Sequence, residues 1–454
     1  RQQERIEKLV ELLDKNGIQY TAGNGATSKG INYITGKEET FTASANDIVV
    51  SVLQPRSAMV KVLFEPKSKL SDSATYDITA WSLPYVYGLN AFASKDKIAG
   101  AGSYTVQTKV NNAETEYGYV IPWSGVKAAK TVGHLLQKGI LLRFAEQAFE
   151  VNGNKFDRGA VIVLKTANKK FGKDLWNIVR ETANADGVQL YPVSSGFVDK
   201  GFDFGSDMVH PLKAPSVVLL TGEGIGSNAA GEIWHFFDRQ LDYPVTLINS
   251  SDISRVNWND IDVLIMPDGN YRFLTNKEEL EAFKSWINKG GRVVALESAV
   301  AQLAKAEMGI RQKKPEEADK KEKSENYDAL KEYQARERDA ITGFTPGSIW
   351  KVKLDNSHPL AFGYPDYYYT LKMDDNIYEF MKEGGWNVGV IKKENQVAGF
   401  VGAGLQPRLK DGLLFGVQQM GGGSISFLTD NLLFRNFWEN GKLMFCNAVF
   451  LVGQ

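Results

Sequence analysis

Apolar residues recur along this chain in helical and in strand-like periods, and the first stretch contains both. In residues 5–16, RIEKLVELLDKN, one helical face carries Ile6, Leu9, Val10 and Leu13, and a glycine follows as the natural stop. The later stretches IVVSVLQ, AMVKVLFE and ATYDITAWSL are rich in β-branched and aromatic residues, which predicts strands. We therefore expect a small β-rich α+β domain over residues 1–112.

The second stretch alternates strand and helix patterns. Strands are predicted at YGYVIPW, ILLRFAEQ, AVIVLKT and VQLYPVS, and helices at VKAAKTVGHLLQKG and KDLWNIVRETANADG. Strands that alternate with helices of this length favour parallel βαβ units. The sequence thus predicts an α/β domain over residues 113–212.

The alternation starts again at residue 213 with more apolar strands. SVVLLTG, PVTLINS, DVLIMPDG and RVVAL predict strands, and GEIWHFFDRQL and NKEELEAFKSWINKGG predict helices, as in a doubly wound α/β domain. Residues 311–339 interrupt this pattern with mixed charge and few apolar residues, which is typical of a solvated or disordered insertion. A strand-rich tail follows and ends in a helix around GKLMFCNAVFLV. The expected third domain spans residues 213–454, and the fold class is α/β.

Composition excludes some classes of partner. The 454 residues carry 53 Lys and Arg against 54 Asp and Glu, so the net charge of −1 favours neither nucleic acid nor an anionic membrane. No apolar run approaches the roughly 20 residues of a membrane helix. The sequence begins at Arg1 without a signal peptide, so we expect a fragment or a processed form. Cys446 lies in an apolar pattern and is expected in the core; as the one cysteine it forms no disulfide within the chain, and it does not indicate a compartment.

The four histidines form no metal motif. His235 and Asp238 share a helical face, but no third ligand is indicated, so we expect no metal site and no cofactor in this chain. His134 lies among leucines and is expected to be structural, whereas His210 and His358 each precede a proline, which indicates turns. The stretch TGEGIGSNAAGEI joins a strand to a helix. It either receives an anion or uses its glycines for a tight turn, and its incomplete dinucleotide spacing favours the turn.

One strand-to-helix bend carries the main candidate chemistry. In GGRVVALESAV a short apolar strand is followed by Glu297 and Ser298 and then by an alanine-rich helix. Many α/β hydrolases hold their nucleophile at such a bend, which is called the elbow below (residues 296–299). Ser298 as a nucleophile needs a base, for which His358 is the candidate. Glu297 either has a raised pKa at this crowded turn or accepts backbone N–H groups at the helix start, and we favour the second role.

The order SVVLLTGEG, DVLIMPDGN, GGRVVALESAV resembles the class I glutamine amidotransferase-like fold over residues 213–454. The resemblance implies that Pro267-Asp268-Gly269 is the turn near the oxyanion site. It also implies that Glu297 holds the position of the catalytic cysteine, with Ser298 beside it, and that Glu223 is an acid facing the elbow. The segment SHPLAFGYPDYYYTLKMDDNIYEF is similar to the trehalose-utilization branch of that superfamily. Because no cysteine is present at the elbow, we expect a pocket without glutamine hydrolysis.

A longer resemblance covers most of the chain. Segments such as SVLQPRSAMVKVLFEP, GFDFGSDMVHPLKAPSVVLLTGEG and DNLLFRNFWENGKLMFCNAVF resemble the region that follows the catalytic domain in bacterial, Bacteroidetes-type zinc carboxypeptidase-like proteins. The resemblance implies a periplasmic or secreted protein with a zinc metallopeptidase domain upstream of Arg1. This chain has no His-x-x-Glu pair with a distal histidine, so zinc is expected only in that upstream domain.

Three hypotheses for function follow. The first is a non-catalytic accessory region that supports, orients or gates the upstream peptidase domain, or binds peptide or glycan. The second is a stand-alone ligand-binding module, and the third is a weak hydrolase that uses Ser298, or Glu297 as a general base. The pocket of the second hypothesis is lined by Glu223, Pro267, Asp268, Gly269, Glu297, Ser298 and His358. The aromatic residues that could contact a ligand, although we expect them to be packed, are Trp81, Trp123, Tyr367, Tyr368 and Tyr369.

Overall fold

The computed structural model describes residues 2–68, 80–106, 110–313, 332–392 and 395–454. These residues form an α/β protein, which confirms the predicted fold class. The helices are, in chain order, α1 (Gln2–Lys15), α2 (Ser57–Phe64), α3 (Leu83–Tyr87), α4 (Val126–Gln137), α5 (Leu175–Asp186), α6 (Ser227–His235), α7 (Lys277–Asn288), α8 (Ser298–Lys305), α9 (Arg336–Thr342) and α10 (Lys442–Phe450). Helix α6 continues directly into a wide π-turn over Phe236–Leu241.

The N-terminal part holds short strands in two small antiparallel sheets. Its strands are β1 (Thr21–Ala22), β2 (Thr27–Asn32), β3 (Glu38–Thr42), β4 (Ile48–Val49) and β5 (Phe92–Ala93). Strand β1 pairs with β4, and β2 lies between β3 and β5. Helix α1 is confirmed, with Leu9, Val10 and Leu13 buried and Gly17 in the left-handed region where the chain reverses.

One strand predicted in this part is wrong. AMVKVLFE forms helix α2, because Val60, Leu63 and Phe64 pack on the core at i, i+3 and i+4, which is the helical spacing. The enrichment in valine suggested a strand, but the other face of α2 is exposed, including Val62. Most of the strand predicted at ATYDITAWSL lies outside the described residues.

The middle part forms a five-stranded sheet in the order β11-β6-β10-β7-β12. The strands from residue 118 to residue 212 are β6 (Gly118–Ile121), β7 (Leu142–Ala145), β8 (Phe149–Val151), β9 (Asn154–Phe156), β10 (Val161–Leu164), β11 (Tyr191–Val193) and β12 (Val209–Leu212). Strands β8 and β9 pair as a separate hairpin. Helices α4 and α5 connect β6 to β7 and β10 to β11, as predicted.

Neighbouring strands of this sheet are antiparallel, so the predicted parallel βαβ units are wrong. Each helix does join two strands that run in the same direction, but another strand separates them: β10 lies between β6 and β7, and β6 lies between β10 and β11. These are two interlocked split βαβ units, as in ferredoxin-like folds. The helix and strand periods are the same in both arrangements, so the local pattern did not distinguish them.

The largest sheet has the order β14-β13-β15-β16-β22-β21-β19-β17-β18, and β20 also pairs with β17. Its strands are β13 (Val217–Thr221), β14 (Thr246–Asn249), β15 (Val263–Met266), β16 (Arg292–Leu296), β17 (Gly347–Leu354), β18 (Tyr367–Lys372), β19 (Gly385–Ile391), β20 (Gln396–Phe400), β21 (Gly412–Met420) and β22 (Gly423–Leu428). The first five strands in the sheet order are parallel. Numbered along the chain, they have the order 2-1-3-4-5 of a flavodoxin-like, doubly wound sheet, as predicted. The remaining strands extend this sheet antiparallel.

One buried apolar cluster extends from Leu9 to Val452 and includes residues of all three parts of the chain, so the domain boundaries stay a prediction. Every residue of helix α10 is buried, including Cys446, which confirms the predicted core position. Burial raises the pKa of the Cys446 thiol. The buried Arg292, at the start of β16, donates to two carbonyl groups at the end of α10.

The charged insertion predicted at residues 311–339 is described only at its ends. Residues 314–331 lie outside the described residues. Helix α9 begins within the predicted insertion, and most of its residues are exposed.

Candidate functional site

The carboxyl ends of the parallel strands β13, β15, β16 and β22 meet at one edge of the large sheet. In doubly wound sheets ligands bind at this edge, where the order of the strands reverses, which here is between β13 and β15. The predicted residues Glu223, Pro267-Asp268-Gly269 and Glu297-Ser298 all follow these strands. The fold therefore brings the three predicted loops to the same edge.

The loops after β13 and β15 are joined by backbone hydrogen bonds. Gly226 N–H donates to Asp268 O at 2.9 Å, and Asn270 N–H donates to Gly224 O at 2.8 Å. Gly222 and Gly224 have φ values of 91° and 85°, a region that glycine adopts without strain. A Cβ atom at Gly224 would lie 2.9 Å from Asn270 O, so the glycines serve the close turn that the sequence favoured.

Glu297 adopts a strained backbone conformation at the elbow. Its φ and ψ are 50° and −121°, outside the regions that non-glycine residues prefer, and conformations of this kind cost about 1–3 kcal/mol. Its backbone N–H donates to Leu428 O at 3.0 Å, and its C=O accepts from Val300 N–H. The chain thus turns sharply from β16 into α8 at Glu297, the residue that the sequence predicted at the nucleophile position.

The Glu297 carboxyl group does not cap helix α8, so the structural role favoured from the sequence is wrong. The side chain is half-buried, and among the described residues no hydrogen-bond partner of its carboxyl group is found. Burial, and then repulsion from Asp268, Glu232, Asp374 and Asp430, raises the pKa of this carboxyl group to about 8. At neutral pH Glu297 is therefore mostly a protonated carboxylic acid that can donate a hydrogen bond.

Ser298 is held by the loop after β15. Its hydroxyl group donates to Asp268 Oδ1 and accepts from Gly269 N–H at 2.9 Å. The backbone N–H of Ser298 also donates to Asp268 Oδ1, at 3.3 Å. Gln302 binds the same loop through Gly269 O. The N–H group of Gly269, which belongs to the turn expected near an oxyanion site, is thus already paired with Ser298.

His358 is not the base of Ser298 in this structure. Its Nδ1 accepts from Leu360 N–H at 3.1 Å, and its ring lies 6.2 Å from the Trp386 ring. Burial lowers the pKa of His358 to about 4. The turn predicted at His358 is present, but no hydrogen bond joins its imidazole to Ser298 in the described part of the chain.

Glu223 lies at the outer rim of the site. Its side chain is 80% exposed and pairs with Arg272 Nη2 at 3.2 Å. Pro267, by contrast, is buried below the loop, and its C=O accepts from the Tyr271 hydroxyl group. The predicted pocket residues that lie close together are Glu297, Ser298, Asp268 and Gly269. Glu223, in contrast, faces solvent.

A buried ionic group beside the elbow was not predicted. Lys372 is fully buried at the end of β18, where its Nζ contacts Asp374 Oδ1 and lies 2.9 Å from Asp430 Oδ1. Thr370 Oγ1 donates to Asp430 Oδ2 at 2.7 Å. The neighbouring carboxylates raise the pKa of Lys372 against the effect of burial, and burial raises the pKa of Asp430. A lysine that ends the apolar strand YYYTLK was the one sequence signal for this group.

Two buried hydroxyl groups close to this ionic group have no hydrogen-bond partner in the described part of the chain. They belong to Thr429, next to Asp430, and to Tyr378. Burial, and then the charge of Asp374, raises the pKa of Tyr378. Unpaired buried hydroxyl groups are costly, so they mark this region as polar and incompletely satisfied.

The remaining predicted candidates are structural. His235 and Asp238 are exposed, and no group of residues that could hold a metal ion occurs within the described ranges. His134 joins Asp186 to Asp242 as a structural contact, and His210 lies in strand β12 rather than in the predicted turn. In the described part of the chain, no helix has both the length and the apolar character that crossing a membrane requires.

The aromatic residues proposed as ligand contacts pack as expected. Trp123, Tyr368 and Tyr369 are buried, whereas Trp81 and Tyr367 are half-buried against the main core.

No family model matches the chain, and no curated protein matches it. Among solved structures, a glutamine amidotransferase from Thermotoga maritima is 9% identical, with 52% of this chain and 96% of that chain covered and a TM-score of 0.32. A protein assigned as a GMP synthase subunit from Thermoplasma acidophilum is 11% identical, with coverages of 52% and 92% and a TM-score of 0.31. A protein assigned as ThuA-like from Bacteroides uniformis is 12% identical, with coverages of 52% and 89% and a TM-score of 0.29.

The similarity to glutamine amidotransferase-like structures is therefore weak. The resemblance to zinc carboxypeptidase-like proteins receives no support from these matches.

Proposed function

We propose that this chain is a ligand-binding region without nucleophilic catalysis, and that its pocket lies at the elbow around Glu297. The observation that carries the proposal is the strained backbone of Glu297, whose half-buried carboxyl group has no hydrogen-bond partner among the described residues. Strain of this kind persists where the surrounding structure enforces it, and it is concentrated at binding and catalytic sites. A carboxyl group held in this way is available to a ligand.

The contacts of Ser298 favour binding over hydrolysis. A serine nucleophile needs a base within hydrogen-bond reach and free donors for the oxyanion. The Ser298 hydroxyl group instead contacts the Asp268 carboxylate, and it occupies the Gly269 N–H. Since no hydrogen bond joins Ser298 to His358, the described residues at the elbow do not form the arrangement that acyl transfer by Ser298 requires.

The charges around the elbow favour an uncharged, hydroxyl-rich ligand. Four carboxyl groups influence Glu297, and the Lys372 ammonium group is already paired with two of them. An anionic ligand would be repelled, whereas sugar hydroxyl groups donate readily to carboxylates. Below its pKa of about 8, Glu297 in turn donates to a ligand oxygen. A neutral glycan or polyol fits both requirements.

A panel of neutral mono- and oligosaccharides tests this proposal, with binding measured by ligand-observed NMR and calorimetry on the intact chain. We expect at least one sugar to bind, and Glu297→Leu to weaken that binding about tenfold or more, as loss of a hydrogen bond to a buried partner predicts. Glu223→Gln is the matched control, because that carboxylate is exposed and should not change affinity. No binding across the panel, or equal affinity in Glu297→Leu, would contradict the proposal.

Enzyme activity is a separate outcome. Turnover of an ester or amide panel that is abolished by Glu297→Gln and retained by Glu223→Gln would establish the weak hydrolase instead. At pH 7 such an enzyme would have Glu297 mainly as a general acid, because its pKa of about 8 keeps it protonated.

For the larger protein, we propose that this region accompanies an upstream zinc metallopeptidase domain in a periplasmic or secreted protein. The support is the ordered set of segments that resemble zinc carboxypeptidase-like proteins, including GFDFGSDMVHPLKAPSVVLLTGEG. The test is the coding sequence upstream of Arg1. A His-x-x-Glu pair with a later histidine supports the proposal, and a start codon directly before Arg1 refutes it.

A further inference from the structure

A cavity lies between the middle sheet and the segment that links β17 to β18. It has a volume of about 550 Å³, within the range of small-molecule sites. It shares no lining residue with the elbow, so it is independent of the function proposed above. The lining residues used below are Trp123, Asp157, Arg158, Asn356, Tyr364 and Pro365.

Arg158 is the unusual residue of this cavity. Its Nε is buried and has no hydrogen-bond partner among the described residues, and its Nη2 reaches Gln147 Oε1 only at 3.5 Å. No carboxylate forms an ion pair with it in the described ranges. A guanidinium group presents five donors in a planar fork that fits a carboxylate, and leaving buried donors unpaired is costly. Arg158 lines the cavity, and its guanidinium group is not paired with a carboxylate among the described residues, so it can receive the carboxylate of a ligand.

The turn that carries Arg158 packs closely against Trp123 and Phe362. Gly159 follows it with φ of 88°, and a Cβ atom there would lie 3.1 Å from Trp123 Cδ1 and 3.2 Å from Phe362 Cβ. Trp123 Nε1 donates to Asn447 Oδ1 at 2.6 Å, and Asn447 Nδ2 donates to the C=O groups of Leu360 and Phe362. One buried asparagine thus fixes two walls of the cavity relative to each other.

The opposite wall is equally fixed. The Tyr364 hydroxyl group donates to Asn440 O at 2.5 Å and accepts from Met444 N–H at 2.9 Å. Asn356 Nδ2 donates to Tyr364 O. Walls that are already ordered lose little entropy when a ligand binds.

Asp157 supplies a negative charge next to Arg158. Its side chain is exposed at the cavity, and no ion pair engages it in the described residues. A ligand with several negative charges would be repelled by Asp157, whereas a molecule with one carboxylate and one ammonium group satisfies both side chains. We propose that this cavity binds a small zwitterion of the dipeptide type, with its carboxylate on Arg158 and its ammonium group towards Asp157. The aromatic rings of the walls would contact its apolar side chain.

The probe is the dipeptide Ala-Tyr, titrated into the intact chain by calorimetry at low ionic strength. The same titration is run with its C-terminal amide, which lacks the carboxylate, and with its N-acetyl form, which lacks the ammonium group. We expect the amide to bind about 10- to 100-fold more weakly, because a charge-assisted pair of hydrogen bonds is lost, and the N-acetyl form to bind more weakly by a smaller factor. These analogues test the site in the unchanged protein.

Arg158→Gln should weaken the binding of Ala-Tyr by the same factor by which amidation of the ligand weakens it in the wild type. The affinity for the amide should be the same in Arg158→Gln and in the wild type. Arg255→Gln is the matched control, because Arg255 is exposed on the large-sheet part of the chain. Failure of Ala-Tyr to bind, equal affinity for the amide, or full affinity in Arg158→Gln would each overturn the proposal. Inorganic phosphate that binds at Arg158 while Ala-Tyr does not would also overturn it, in favour of a simple anion site.

Discussion

Replacement of Glu297 by glutamine should stabilise the protein in a pH-dependent way. In the unfolded chain the Glu297 carboxyl group titrates near its ordinary pKa of 4.5, whereas in the folded protein the pKa is about 8. Between these values the folded protein binds a proton that the unfolded chain has released, so stability falls as pH rises from about 4.5 to about 8. Glutamine has nearly the same shape and does not ionise, so it removes this loss.

The size of the effect follows from the two pKa values. The difference between 8 and 4.5 corresponds to about 5 kcal/mol at about 1.4 kcal/mol per unit. Because the side chain is only half-buried, solvent screening reduces this figure, and we expect about 2 kcal/mol. For a part of the chain of roughly 200 residues, this is a shift in melting temperature of about 4–8 °C.

The assay is thermal unfolding of the wild type and of Glu297→Gln between pH 5 and pH 9. The two proteins should melt at similar temperatures at pH 5, the variant should become more stable than the wild type as the pH rises, and the difference should be level by pH 8. Glu223→Gln, which removes an exposed carboxylate, should show no such trend. A melting-temperature difference between Glu297→Gln and the wild type that stays constant from pH 5 to pH 9 would refute the argument.

Three further substitutions test the contacts of the large sheet by urea unfolding. Ser298→Ala should lower the free energy of unfolding by about 1–3 kcal/mol, because the Gly269 N–H and the Asp268 carboxylate lose the Ser298 hydroxyl group as a partner. An unchanged urea midpoint would contradict this. Lys372→Met should lower the free energy of unfolding by about 3–5 kcal/mol, because it leaves Asp430 buried without its cation. The double variant with Asp430→Leu should recover much of that stability. Arg292→Met should lower the free energy of unfolding by about 2–3 kcal/mol, because the carbonyl groups of Val449 and Val452 lose their donor, and a neutral result would contradict this.

The sequence predicted the parallel part of the large sheet because its strands are apolar on both faces and alternate with amphipathic helices. Residues 292–296, RVVAL, are all buried, which is the signature of such a strand. The same reasoning misjudged the middle sheet, since helix and strand periods do not reveal which strand is inserted between two others. Similarly, AMVKVLFE was assigned by its valines, although its buried positions had the spacing of a helix.

For the site, the sequence located the elbow but not its surroundings. The sharp bend at Glu297 followed from a glycine turn, a short apolar strand and a helix in direct succession. Lys372 at the end of β18 pairs with Asp430 just after β22, 58 positions later in the chain. No local sequence pattern predicts this contact. The raised pKa of Glu297 likewise depends on carboxyl groups from four separate segments, which only the folded chain brings near one another.

The docking of helix α1 has a consequence for synthesis of the protein. Arg5 in α1 donates to Asn440, which lies 435 residues later in the chain. At about 5–20 residues per second, a ribosome needs about 20–90 s to make that partner after it has made α1. A helix of 14 residues is marginally stable by itself, and during this interval Arg5 lacks its Asn440 acceptor. Helix α1 therefore gains this contact only after nearly all of the residues that follow it have been made.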